Sequence, residues 1–151
     1  MIRNVTMDVL LKMRMPAYIK GTTYICDAIE LFDTDPYYPN GKICSLYSAI
    51  AARHNTTANS VERAIRHAFE TTLAKGDLII LEQYLDITNT QNSNLLRTLY
   101  FHIKQEIKER SEPAHICNST QCIWSRQASQ ETLDIFCNKL AQAVATQLKV
   151  T

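Results

Sequence analysis

The chain has 151 residues, of which 46% are apolar, with 3 glycines, 4 prolines and a net charge of +1. That length can bury an adequate core without metal or disulfide support, and few glycines and prolines favour long regular elements over many tight turns. The near-neutral balance excludes a globally basic field, so any contact with nucleic acid must rest on a local patch.

Apolar positions recur at three- and four-residue spacing almost throughout, and strand-like alternation is scarce, which predicts an all-α fold. A first helix is expected from about Thr6 to Met13, ended by Pro16. A second runs from about Lys20 to Phe32, with Ile25, Ala28, Ile29 and Phe32 on one face. Asp33 to Asn40 (DTDPYYPN) reads as a loop, because Pro36 and Pro39 interrupt a helix. A third helix covers about Lys42 to Arg53, followed by a short polar turn, His54 to Thr57. The fourth runs from Ala58 to about Ala74, and Gly76 is placed to terminate it. Asp77 to Leu85 reads as a short helix, Thr88 to Ser93 as a loop and Asn94 to Arg110 as an amphipathic helix. Glu112 to Gln127 is irregular, and Ser129 to Lys149 is a closing helix. The expectation is a compact bundle of about six or seven helices, with a division near residue 90 and an inserted segment over 90–127.

The most informative stretch is Ser45 to Gly76, SLYSAIAARHNTTANSVERAIRHAFETTLAKG. Two helices joined by a short turn form a helix-turn-helix. Thr56 and Thr57 suit the N-cap, where a hydroxyl accepts from an orphan amide, and the same amides suit a phosphate oxygen. At roughly 100° per residue, Val61, Ala64, Ile65, Ala68 and Thr72 gather on one side. Asn59, Glu62, Arg63, Arg66, His67 and Glu70 gather on the other. Two arginines one turn apart, with an asparagine and a histidine, are the residue types that read base edges in a major groove. Glu62 fits as well, because a carboxylate accepts from cytosine N4 or orients a neighbouring arginine. The competing reading is a solvated amphipathic surface helix.

The wording of this region resembles the C-terminal effector domain of the stage-zero sporulation response regulator. The resemblance rests on MPAYIKGTTYICDAIEL (Met15 to Leu31), LYSAIAARHNTTANSVERAIRHAFE (Leu46 to Glu70) and Lys75-Gly76-Asp77, and spans about residues 5 to 85. The closing SQETLDIFCNKLAQ is more weakly similar to that family's last helix. The resemblance implies a transcription regulator of about six helices. It implies that the Val-Glu-Arg-Ala-Ile-Arg-His helix, 58–74, lies in the major groove of double-stranded DNA, and that two copies associate as a homodimer on tandem sites. Base-reading positions are then Asn59, Ser60, Glu62, Arg63, Arg66 and His67. Backbone positions are Lys20, Arg53, His54, Thr56 and Thr57. The chain departs from the family pattern where Asn59-Ser60 replaces Ser-Arg, and where Tyr18 replaces His. Residues 1–15 are too few for a receiver domain, so a stand-alone single helical DNA-binding domain over 1–151 is expected.

Other features have blander readings. The five cysteines are odd in number and scattered. His115, Cys117 and Cys122, with His102 upstream, have zinc-ligand chemistry but lack the usual paired spacing, so no metal and no cofactor is expected. Cys26, Cys44 and Cys137 read as core thiols. Tyr37 and Tyr38 read as loop packing. Leu95, Leu99, Ile103 and Ile107 first read as core, and second as a protein-partner surface over 94–110. No Gly-rich phosphate loop, H-E-x-x-H or G-x-S-x-G occurs, so no enzyme is expected. Arg3, Asp8, Lys12 and Arg14 interrupt any signal-peptide core, and no stretch approaches the roughly 18 apolar residues that span a bilayer, which implies cytoplasmic residence without membrane contact. The alternative function is a helical protein-interaction module that kept the fold but no longer reads DNA.

Overall fold

The computed structural model describes residues 1–111 together with Asn138 and Lys139. Its elements are α1 (Ile2–Lys12), α2 (Lys20–Thr34), α3 (Tyr37–Asn40), α4 (Ile43–Arg53), α5 (Ala58–Lys75), α6 (Leu78–Tyr84) and α7 (Asn92–Ser111). Among the described residues there are only helices and connections, so the architecture is the expected all-α bundle. All of these helices belong to one compact unit, Met1–Ser111. That unit closes at Ser111 rather than near residue 90, because α7 packs on α1, α2, α5 and α6. His115, Cys117, Cys122 and Cys137, and nearly all of the expected closing helix, lie outside the described residues.

Helix α2 is the hub, since it packs against α1, α3, α4, α5 and α7. Its sequence explains why. Tyr24, Ile25, Cys26, Ala28, Ile29, Leu31 and Phe32 are all buried, which is more than one face of an ordinary surface helix. Val9, Leu10 and Met13 of the α1 segment meet it, with Leu46 and Ile50 of α4 and Leu95, Leu96, Leu99 and Ile103 of α7 in the same core.

Helix ends differ from the sequence expectation for local reasons. Helix α1 begins at Ile2, and Thr6 lies inside it, donating its hydroxyl to Ile2 O at 2.8 Å. It stops before Pro16 is reached. Arg14 takes a left-handed φ of 62°, Arg14 N donates to Leu11 O at 2.9 Å, and Met15 N donates to Leu10 O at 2.9 Å. That is a Schellman closure built on a non-glycine residue. The expected 33–40 loop holds the short helix α3, because Pro36, with φ −59°, precedes its first turn, where a missing amide hydrogen costs nothing. Asp35 Oδ1 accepts from Tyr37 N at 2.9 Å at the same place.

Cys44 corrects another expectation: it is exposed, off the buried ridge that Leu46, Tyr47, Ile50 and Ala51 make on α4. Cys26 is buried, as expected. Gly76 caps α5, but in an extended conformation with φ −76° and ψ 163°. Its requirement for glycine is proximity, because an added Cβ would lie 2.7 Å from Thr72 O and 2.9 Å from Met13 O.

Candidate nucleic-acid interface

Helices α4 and α5 join through His54–Thr57. Asn55 takes φ 51°, and Thr56 N donates back to Ala51 O at 3.0 Å, so α4 also ends in a Schellman closure. The chain then turns at Thr57, whose Oγ1 accepts from Ser60 N at 3.2 Å to cap α5. This is the compact reversal that a helix-turn-helix requires.

Helix α5 separates its faces cleanly. Val61, Ile65, Ala68, Phe69 and Thr72 are buried. Ala64 is half-buried, and Phe69 joins the inner face although the sequence reading did not place it there. Asn59, Ser60, Arg63, Arg66, His67 and Glu70 are exposed, and Glu62 is half-buried. Close approach of α2 presses this helix in place: a Cβ on Gly21 would fall 2.1 Å from Ala64 O and 2.7 Å from Ala68 Cβ. Lys20, the residue before that contact, is exposed.

The polar residues are not equivalent. Arg66 pairs with Glu62 one turn earlier, yet its side chain keeps 61% of its exposure. Arg63 has no ion-pair partner among the described residues. Ser60 and Thr57 hydroxyls stand 2.9 Å apart, so both are engaged in the cap. Glu62 O accepts from Asn92 Nδ2 at 3.2 Å, which ties the first turn of α7 to the exposed helix. An open groove of about 790 Å³ lies beside the C-terminal half of α5, lined by Arg66, Phe69, Glu70, Leu73, Thr90 and Asn92 among others.

Arg53 at the end of α4 and His54 in the turn are held from behind by acids on α2. Arg53 Nη1 donates to Glu30 Oε2 at 3.2 Å. His54 Nε2 lies 2.5 Å from Asp27 Oδ2, and the Tyr24 ring packs edge-on to the imidazole at 4.9 Å. Asp27 is buried and accepts a second bond, from Arg3 Nη1, at 2.6 Å. Neither Asp27 nor Glu30 is picked out by the sequence pattern. On the helical wheel both fall away from the Ile25, Ala28, Ile29 and Phe32 face, so only the packing of α1 and the turn against that side shows that Asp27 is buried.

Of the remaining candidates, His102 packs its ring against Phe101 at 5.5 Å. Leu95, Leu99 and Ile103 are spent on the core of their own unit, and Phe101 is the exposed large hydrophobic on α7. Among the described residues no cluster of three metal-ligating side chains occurs, and no helix is long and apolar enough to cross a membrane.

The family model described as sporulation initiation factor Spo0A C terminal matches residues 6–103. The match is longer than the segments that carry the sequence resemblance, and it takes in α7 as far as Ile103. It is a family of DNA-binding regulatory domains of a sporulation response regulator, not of enzymes. With well over half of its length matched, an all-helical fold and an exposed arginine-bearing helix after a tight turn, this chain belongs to the sporulation initiation factor Spo0A C-terminal family.

Proposed function

We propose that this protein is a sequence-specific regulator of transcription that reads double-stranded DNA with α5 in the major groove. The observation that carries the reading is the exposed ridge of Asn59, Arg63, Arg66 and His67 on a helix whose opposite ridge is locked into the core. A recognition helix must offer side chains outward without yielding its own position, and the Gly21–Ala64 approach supplies that rigidity. Arg63 is free to form a bidentate pair with guanine. Arg66 reaches DNA by exchanging the Glu62 carboxylate for a base edge or phosphate. The exposed Lys20 and the amides at the start of α5 suit backbone phosphates. Tandem sites occupied by two copies, and residence in the cytoplasm, belong to the same proposal.

Selection of bound oligonucleotides from a random pool tests this directly. Enrichment of one motif is expected, with affinity falling steeply as salt rises. Arg63→Ala and Arg66→Ala should each weaken binding to that motif by about 1–3 kcal/mol. Equal binding by wild type and both variants removes α5 as the reader. If no duplex is retarded even at low salt and a protein co-purifies, the fold serves protein interaction instead.

A further inference from the structure

Asp27 is a buried carboxylate that the proposed DNA contacts do not use, and it sits at the junction of three elements. Its residue exposure is 4%, with Oδ1 taking Arg3 of α1 at 2.6 Å and Oδ2 facing His54 of the turn at 2.5 Å. Glu30, one turn along α2, faces Arg3 at 3.6 Å and Arg53 at 3.2 Å. Tyr24 closes the other side of the imidazole. A buried carboxylate is costly unless its oxygens are paired, so this site holds its partners firmly. His54 immediately precedes Asn55, whose left-handed φ of 51° aims the chain into α5.

We propose that Asp27 is a positioning residue for DNA reading: by clamping the His54 imidazole against α2, it sets the angle at which α5 leaves the turn. This rests on the DNA-reading assignment above. Helix α5 is then fixed relative to α2 at two separated places. One is mid-helix, where Gly21 meets Ala64; the other is at the turn, through Asp27 and His54. The buried ridge holds α5 along its length, and the tie at the turn fixes the end nearest Asn59 and Arg63. Base reading needs several side chains in register at once, while phosphate attraction tolerates a change of angle. His54 thereby acts through the clamp, not as a phosphate ligand.

The test uses the full chain with Asp27→Asn, which keeps the size of the side chain and removes its charge. Thermal unfolding first defines a temperature at which variant and wild type are both fully folded. Affinity is then measured there for the selected motif and for an unrelated duplex, across a salt series. The expected result is about a tenfold loss on the selected motif, the scale of one charge-assisted hydrogen bond. Affinity for the unrelated duplex and the salt slope should stay at the wild-type value. A fully folded variant with wild-type discrimination overturns the proposal. If Asp27→Asn does not fold, His54→Gln decides. Loss confined to the selected motif with an unchanged slope supports the clamp. Equal weakening on both duplexes, with a slope shallower by about one, makes His54 a phosphate ligand and overturns it. Failure of the underlying reading looks different, because the wild type would then show no preference between the two duplexes.

Discussion

At the scale of single residues, small side chains and buried charges set the working parts. Gly21 is required by space, not by backbone conformation, since an added methyl would collide with Ala64 O at 2.1 Å and with Ala68. A backbone carbonyl cannot swing aside as a flexible side chain can, so α2 and α5 would have to separate. Gly21→Ala should therefore destabilise the fold by about 3 kcal/mol, the upper part of the range for overpacking, and should weaken DNA binding more than its loss of stability explains. Denaturant unfolding beside binding measurements checks this, and a variant of wild-type stability would show that the α2–α5 approach is looser than its geometry. Arg63 and Arg66 differ for a related reason. Only Arg66 has a carboxylate to leave, so under the proposed function its contribution to binding would be a difference between two ion pairs.

At the scale of elements, α7 is fastened by polar contacts at its surface as well as by its buried leucines. Arg97 donates to Pro39 O at 2.8 Å and to Gly41 O at 3.1 Å, and Lys104 reaches Asp33 at 2.7 Å. Glu106 accepts from Lys12 of α1 at 3.0 Å and from Arg110 at 2.5 Å. Burial alone would raise the Glu106 carboxyl, but Lys12 and Arg110 outweigh it and hold it below the ordinary glutamate range. A carboxyl lowered by folding adds stability that is complete above its unfolded value and is lost as pH falls through the folded one. Glu106→Gln should thus cost about 0.5–1 kcal/mol near neutrality. The decline in wild-type stability below roughly pH 4.3 should be shallower in the variant. Parallel stability profiles for the two proteins would mean that the α1–α7 link contributes nothing.

At the scale of the whole molecule, the unit Met1–Ser111 contains its own continuous core, from Val5 in α1 to Ile103 in α7. A fragment of residues 1–111 is expected to unfold in one cooperative transition, with calorimetric and van't Hoff enthalpies in agreement. A broad melt without a heat-capacity peak would show that this core depends on residues beyond Ser111. The family match ends at residue 103, inside the last helix of that unit.

Helical periodicity was enough to read the two faces of α5, the cap at Thr57, and the buried ridge of α2 from the amino-acid order, because those features depend on neighbours three or four positions away. The string from Asn55 to Ala68 was long enough to point to the family as well. Other features needed the third dimension. Arg14 closes α1, and nothing in its identity marks it for a left-handed conformation. Asp27 meets His54 and Arg3, Gly21 meets Ala64, and Asn92 meets Glu62, each across separations that no period connects. Which face a residue occupies follows from local geometry. Which partner it finds there depends on how whole helices pack, and that is decided only when the core they share is complete.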